Sequence, residues 1–323
     1  MQAPYTNPRI DRPTQHGDPL CGQVKLDLAK TLWTLGMFVG GAVGALYWFS
    51  LSGVILFVLF TLFTLCFGHS LGMHRRFIHR SFECPKWLEY SMVHCGVLVG
   101  MAGPLSMLKT HDLRDWAQRQ NACHPYFSHD EIWYRDFYWQ MFCRIELEAP
   151  PDFRIEADIR QDRVYRWMER TWRWQQLPWA LLFFALGGMS WLLWGICARV
   201  SVSLIGHWLV GYFAHNAGHK DWHVDGAAVQ GHNVPWCALL TMGECWHNNH
   251  HAFPGSARLG LAPGQWDPGW DVLNWMQQLG LIKNPVLPAM LPHRVELRSL
   301  KPAHRACAPV THRLAHPQHR EGA

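Results

Sequence analysis

The sequence predicts an all-α integral membrane protein, with four transmembrane helices in two hairpins and a cytosolic helical cap that holds a histidine-rich metal site. Three apolar runs contain no Asp, Glu, Lys or Arg, and they cover residues 31–74, 175–198 and 200–219. A helix that crosses a bilayer needs about 20 mostly apolar residues. Histidines gather near the ends of these runs and in one later segment, and that pattern indicates the metal site.

The apolar runs give the positions of the four spans. The first run is long enough for two, at about 31–49 and 54–72, separated by a short uncharged break that predicts a tight hairpin. The other two runs predict spans at about 177–198 and 200–218, which form a second hairpin broken near Arg199. Each span has the length that a bilayer requires.

The remaining segments complete a three-part organisation. Residues 1–25 are rich in proline and polar residues, so we expect a flexible leader. The membrane domain is expected over 26–290, followed by a disordered basic tail at 291–323. Within the domain, Tyr90–Leu108 is uncharged but interrupted by glycine and proline, which favours a packed or re-entrant helix pair over a further span.

Basic residues orient the predicted hairpins. Arginines such as Arg75, Arg76 and Arg173 lie between the two hairpins, whereas the hairpin tips carry only Arg199. Because cytoplasmic loops of membrane proteins are enriched in Lys and Arg, the region 73–176 and both termini are expected on the cytoplasmic side. The net charge of +5 is modest and fits a membrane protein better than a nucleic-acid-binding protein.

The most informative segment is Glu-Cys-Trp-His-Asn-Asn-His-His-Ala-Phe-Pro, which contains His247, His250 and His251. On a helix, positions i, i+3 and i+4 share one face. We therefore expect the three imidazoles to point at one place. Neutral imidazole is a good ligand for iron, copper, nickel or zinc, so this spacing predicts a metal site.

Further histidines lie near the predicted cytoplasmic face. His74 and His79 form an H-x4-H motif after the second span, and His69 offers an alternative register. His111 follows the next apolar segment, and His215 lies near the end of the last span. Ionisable groups at membrane depth usually have a function, so a shared metal site would explain why both hairpins return to one side.

These motifs resemble those of the membrane fatty acid desaturases, specifically the acyl-CoA and acyl-lipid delta-9 type. The resemblance covers most of residues 30–285 and rests on His74–His79 and on the segment from Glu244 to Pro254. It implies a multi-pass membrane enzyme with four spans and a cytosolic cap, in which histidine nitrogens hold two irons. With O2 and two electrons, such an enzyme introduces a cis double bond into a fatty acyl chain. An additional histidine ligand follows the fourth span in this family, and His215 matches it by position.

The chain departs from the family pattern in the middle box. The family has H-x-x-H-H there, but this chain has His111-Asp-Leu-Arg114-Asp115, and Gly211 replaces an asparagine that related enzymes direct at the metal site. Aspartate can bind iron through oxygen, whereas arginine stays protonated and cannot.

The altered middle box leaves three alternatives: a mixed His/Asp di-iron site, one well-held metal with a weak second one, and an inactive enzyme. Arg114 and Asp115 pairing with each other or with Asp112 would be a purely structural arrangement. The predicted ligands are His74, His79, His111, Asp115, His215, His247, His250 and His251.

The resemblance predicts an O2-dependent oxidoreductase, a fatty acyl desaturase with two iron ions expected and one as the alternative. A fatty acyl or lipid hydroxylase or ketolase of the same superfamily is the first alternative function, and a catalytically impaired desaturase-like membrane protein is the second.

The expected partners are membrane lipid and an acyl substrate linked to CoA, a carrier protein or a lipid. No nucleic-acid partner is expected. No cytochrome b5-like domain is recognisable after residue 285, so a separate electron donor of the ferredoxin or cytochrome b5 type is expected. The predicted location is a bacterial inner membrane, with the active site facing the cytoplasm.

Overall fold

A computed structural model describes residues 7–11 and 17–300, and that part of the chain is mostly helical. Two π-helical segments extend the α-helices: Thr64–Ile78 continues α2, and Leu193–Ala198 joins α9 to α10. The α-helices are α1 (Leu28–Tyr47), α2 (Leu51–Phe63), α3 (Lys86–Leu98), α4 (Pro104–Gln118), α5 (Pro125–Ser128), α6 (Trp133–Phe142), α7 (Ala157–Arg160), α8 (Arg163–Thr171), α9 (Gln176–Leu192), α10 (Arg199–Asn216), α11 (His247–Ala252) and α12 (Pro268–Gln278). Short 3₁₀ turns cover Pro235–Cys237 and Pro288–Met290.

Short antiparallel strand pairs connect distant parts of the chain. The pairs are β1 (Ile10–Asp11) with β4 (Asp152–Phe153), β2 (Gly22–Leu26) with β3 (Cys143–Leu147), and β5 (Trp222–Val224) with β6 (Leu297–Ser299). The stretch expected to be a flexible leader therefore contributes two strands, and the expected disordered tail contributes β6. Strands β1, β2 and β6 each pair with a strand more than 70 residues away, and local amino-acid composition does not reveal such pairing. Residues 301–323, the rest of the expected tail, lie outside the described residues.

In the part of the chain that the structure describes, three helices are long and apolar enough to cross a membrane, by length and composition: Leu28–Tyr47, Leu51–Ile78 and Gln176–Asn216. Their apolar side chains are widely exposed, as with Leu46 (74% exposed) and Leu59 (63% exposed). Large apolar side chains on the outside of a helix are stable where the surrounding medium is lipid. The first two helices match the first two predicted spans, and the third contains both of the others.

The second hairpin reverses at Gly188, not near Arg199 as the sequence suggested. Gly188 has φ +62° and ψ −154°, a conformation that glycine adopts without steric cost. Beyond Gly188 the chain folds back on itself. The contact that shows this is a hydrogen bond of 2.7 Å from the Arg199 guanidinium to the Gln176 side chain.

Arg199 continues the helix because its charge is satisfied inside the protein. Its side chain is fully buried and also donates to the carbonyl oxygens of Leu98 (2.6 Å) and Gly195 (2.8 Å). A buried cation without such partners is strongly destabilising. The sequence shows the charge but not these partners, and that is why the break was predicted here.

The two hairpin tips lie together. The Ser50 and Ser190 hydroxyl groups are 2.6 Å apart, and the Trp194 indole donates to the Trp48 carbonyl at 3.2 Å. Ser50 also caps α2 by accepting from the Gly53 amide at 3.0 Å. Because both tips meet, the other ends of the helices, which carry the histidines, also lie on one side.

Helix α3 packs unusually closely on the π-helical segment that follows α2. A Cβ atom on Gly68 would lie 2.3 Å from the backbone carbon of Cys95, and one on Gly72 would lie 2.6 Å from Met92. Glycine at these positions therefore allows backbone-to-backbone contact. The segment Tyr90–Leu108, predicted as a packed helix pair, contributes the ends of α3 and α4 around a short turn. This packing fixes the helix that carries His74.

Candidate metal centre

The first histidine cluster consists of His74, His79, His111 and His250. One ring nitrogen from each lies within 4.8 Å of the others. The four side chains come from the π-helical segment and its end, from α4 and from α11.

The π-helical winding explains why His74 and His79 meet. In an α-helix, residues five apart are rotated by about 140° from each other. Here the His79 amide donates to the His74 carbonyl at 3.0 Å, the i to i+5 pattern of a π-turn. Their ring centroids are 4.7 Å apart. The H-x4-H spacing therefore brings two imidazoles together because this turn is π-helical.

The second cluster consists of His215, His247 and His251. The Nε2 atoms of His215 and His247 are 3.1 Å apart, and those of His247 and His251 are 3.0 Å apart. Imidazoles bound at right angles to an ion, with metal–nitrogen distances of about 2.1 Å, place their nitrogens about 3 Å apart. The three nitrogens therefore converge as ligands of one ion would.

The hydrogen bond of His215 determines which nitrogen carries its lone pair. Its Nδ1 contacts the Gly211 carbonyl oxygen at 2.6 Å, and a carbonyl oxygen only accepts. Nδ1 therefore carries the proton, and the Nε2 lone pair points into the cluster. This is the tautomer that binding a metal through Nε2 requires.

Burial keeps four further imidazoles of the two clusters neutral. It is the largest effect on the pKa values of His79, His250 and His251, which lie well below the ordinary value. Burial also lowers the pKa of His247, to about 3. The ring atoms His79 Nε2 and His250 Nδ1 are buried without a hydrogen-bond partner. Neutral imidazoles with unshared lone pairs fit a transition-metal ion such as iron.

Glu244 orients His74 from outside the first cluster. Its carboxylate lies 2.7 Å from His74 Nδ1, accepts from the Ser70 hydroxyl at 2.5 Å and lies 3.5 Å from Arg75 Nε. Burial alone would raise the pKa of Glu244, but its contacts with His74 and Arg75 and the hydrogen bond from Ser70 hold it well below its usual range. A carboxylate behind a ligating histidine fixes the ring and raises its basicity.

The structure does not bring Asp115, the eighth predicted ligand, into either cluster. Its Oδ1 accepts from Arg119, with nitrogen–oxygen distances of 3.0 and 2.9 Å. Arg114 donates to the Gln140 side chain at 2.8 Å and lies 3.1 Å from His129 Nε2. The structural alternative supposed that Arg114 and Asp115 pair with each other or with Asp112. The structure shows neither pairing.

Sequence reasoning missed His129. It lies at the end of α5 with φ +57°, and its Nδ1 is 2.9 Å from the buried Asp136 carboxylate. Its ring lies against that of His215, with centroids 5.5 Å apart, and a Cβ on Gly211 would be 3.0 Å from His129 Nε2. Glycine at 211 therefore makes room for His129. No periodic motif marks this histidine, because its neighbours come from distant segments.

Both clusters line one cavity of about 460 Å³. The rest of its wall is mostly apolar and includes Leu62 from α2, Leu65 from the π-helical segment that follows it, and Val202 and Leu209 from α10. Its size lies within the usual range for small-ligand pockets. The cavity can therefore hold an apolar chain beside the two histidine clusters.

Comparison with known proteins agrees with this geometry. The sequence profile of the family described as "fatty acid desaturase" matches residues 51–262. An sn-1 stearoyl-lipid 9-desaturase of Anabaena variabilis is 33% identical over 261 residues, which cover 80% of this chain and 94% of that protein. The enzyme of the same description from Synechocystis is 35% identical over 222 residues, 68% of each chain. An acyl-CoA C20 delta-5-desaturase of Anemone leveillei is 30% identical over 239 residues, 73% of this chain and 75% of its own.

The profile match includes His74, His79, His111, His215 and His247 together with the rest of the last histidine segment. The profile spans about two thirds of the chain, and the two cyanobacterial relatives cover 80% and 68% of it. With two imidazole clusters on the wall of an apolar cavity, the chain belongs to the fatty acid desaturase family.

Proposed function

We propose that this fatty acyl desaturase uses iron, held by the seven clustered histidines, to introduce a cis double bond into an acyl chain. The observation that carries the proposal is the position of both clusters on the wall of one apolar cavity. Iron bound there, with O2 and two electrons, would supply the oxidising power to break two strong methylene C–H bonds, which no side chain can do. The clusters offer four and three imidazoles, a donor set that suits iron.

The chain's own residues bind the substrate and orient the ligands. Apolar residues such as Leu62 and Val202 would hold the acyl chain and exclude water from the reacting methylenes. Glu244 and the Gly211 carbonyl fix the rings of His74 and His215. Fixed rings need no reorganisation during the reaction.

The substrate we propose is an acyl chain that is desaturated at the delta-9 position. Two cyanobacterial relatives are named sn-1 stearoyl-lipid 9-desaturases, while a plant relative is named an acyl-CoA delta-5-desaturase. The cyanobacterial relatives favour a lipid-linked chain, with CoA and carrier-protein thioesters as the alternatives. Comparing the three carriers as substrates of the purified enzyme distinguishes them.

We further propose four membrane crossings, with both clusters in a helical cap on the cytoplasmic side of a bacterial inner membrane. The reversal at Gly188 divides Gln176–Asn216 into two arms, and the hairpin tips at Ser50 and Ser190 meet on the opposite side from the histidines. Electrons would then come from a separate cytosolic donor of the ferredoxin or cytochrome b5 type. Labelling of single-cysteine variants from either side of the membrane tests this topology.

Expression in a desaturase-deficient host, with the electron donor supplied, tests the function. New cis-monounsaturated fatty acids in the membrane lipids are expected, and a His79→Ala variant should abolish them. Hydroxy or oxo products would instead assign the chain to the hydroxylases and ketolases. Unchanged lipids with an active donor present would contradict the proposal.

A further inference from the structure

The two histidine clusters differ in their number of imidazoles. Among the described residues, the first has four, whereas the second has His215, His247 and His251. Arg114 lines the cavity that both clusters share. It lies one helical turn after His111 on α4, so both side chains project from one side of that helix.

A buried row of side chains holds Arg114 in place. Arg114 Nη1 is 3.1 Å from His129 Nε2, and His129 Nδ1 is 2.9 Å from the Asp136 carboxylate. The Trp208 indole also donates to Asp136, at 2.7 Å. Since a guanidinium only donates, His129 accepts at Nε2 and donates from Nδ1. The hydrogen bonds of this row therefore have a fixed direction: Arg114 donates to His129, and His129 donates to Asp136. The negative carboxylate lies at one end of the row and the positive guanidinium at the other.

This direction places the positive end of the row towards the cavity. Asp136 and His129 are almost fully buried behind the wall (0% and 1% exposed), whereas Arg114 contributes to the wall itself. His129 meanwhile lies against the His215 ring of the second cluster. A guanidinium offers no lone pair to an ion, and its charge repels a cation more strongly in a low-dielectric site than in water.

We propose that Arg114, held by His129 and Asp136, makes the second cluster a weaker metal position than the first. The protein then binds one ion tightly at the four-histidine cluster and a second, exchangeable ion at the three-histidine cluster. This inference rests on the proposed metal-dependent function and adds that the two positions are not equivalent. Arg114 and His129 act as positioning residues that set the affinity of the second ion.

Metal titration of the purified, metal-stripped full chain tests this proposal. Anaerobic Fe(II) binding is followed by calorimetry, and bound metal is counted by mass spectrometry after dialysis. The wild-type chain should bind a first ion at least tenfold more tightly than a second. Arg114→Gln removes the charge, and Arg114→His also adds an imidazole. Each should tighten the second ion at least tenfold and leave the first unchanged.

The matched control is Lys109→Gln, which removes a positive charge from an exposed position on the same helix. It should change neither affinity. Two ions of equal affinity in the wild-type chain would overturn the proposal, even if the Arg114 variants failed to fold. An unchanged second affinity in a folded Arg114→Gln variant would also overturn it.

The proposed function fails in a different way. If the wild-type chain bound no ion, or if His79→Ala did not weaken the first ion, the metal assignment itself would be wrong. Equal affinities that depend on the histidines would leave the iron assignment standing and reject only the role of Arg114.

Discussion

His250 and His251 are adjacent in sequence, yet their imidazoles enter different clusters. Their ring centroids are 6.1 Å apart. The His250 ring lies 4.5 Å from that of His74, whereas the His251 ring lies 4.5 Å from that of His247. The expectation that His247, His250 and His251 point at one place was therefore wrong. The short helix α11 instead stands between the two clusters and supplies both.

Removing the Glu244 carboxylate should weaken the first cluster selectively. Glu244→Gln keeps the size of the side chain but loses the charge beside His74. Loss of a group that orients a ligating histidine typically costs 10–100-fold in metal affinity. We expect a loss of that size for the first ion and none for the second, measured by metal titration. The control is Asp271→Asn, which removes an exposed carboxylate that accepts from the Trp266 indole. It should change the affinity of neither ion.

A methyl group at position 68 should disrupt the packing of α3 against the π-helical segment. In Gly68→Ala the new Cβ would lie 2.3 Å from the Cys95 backbone, which cannot move without displacing the helix. Overpacking of this kind costs on the order of 1–3 kcal/mol. We expect a lower melting temperature and a weaker first metal position. Gly36→Ala is the control, because a Cβ there has no atom within 4 Å, and an equally low melting temperature in that variant would contradict the packing argument.

Acid should destabilise the protein partly through Glu89. Burial opposes ionisation of this carboxyl, but hydrogen bonds from Tyr165 and Lys86 and the charge of Arg76 lower its pKa below the ordinary value of a glutamate. A lowered folded-state pKa gives stability that is present above the unfolded-state pKa and lost as the pH falls through the folded-state pKa. The melting temperature should therefore fall below about pH 4.5.

The Glu89→Gln variant separates this effect from general acid denaturation. At pH 7 it should melt at a lower temperature than the wild-type chain, because it lacks the ion pairs with Arg76 and Lys86. Below pH 4.5 the difference should narrow. A constant difference between pH 7 and pH 4 would show that Glu89 ionisation contributes nothing.

Filling the cavity near α2 should shorten the acyl chains that are accepted. Leu62 lies on the cavity wall twelve positions before His74, about three helical turns away. Leu62→Trp should lower the yield of products from long chains while shorter chains still react, measured as the fatty acid profile of the host. Leu59→Trp, at an exposed position on the same helix, is the control. Equal profiles for both variants would mean that the acyl chain does not reach Leu62.

The sequence was sufficient for features that depend on local pattern. Hydropathy located the helices that are apolar enough to cross a membrane. Histidine spacing identified five of the seven clustered histidines, and position near the ends of the apolar segments identified His111 and His215. Features that depend on distant partners were not predictable. Arg199 continues a helix because Gln176 and the Leu98 carbonyl satisfy its charge. The His129–Asp136 pair carries no motif at all, because its role comes from contact with Arg114 and His215.

Iron analysis of two single variants, His250→Ala and His251→Ala, tests the central claim most directly. Each purified variant is loaded with Fe(II), and bound iron per chain is compared with that of the wild-type chain by mass spectrometry and Mössbauer spectroscopy. We predict that His250→Ala loses the tightly bound ion of the first cluster, whereas His251→Ala loses the ion of the second cluster and keeps the first. Iron-free wild-type protein, or the same loss in both variants, would contradict two histidine-bound iron positions on either side of α11.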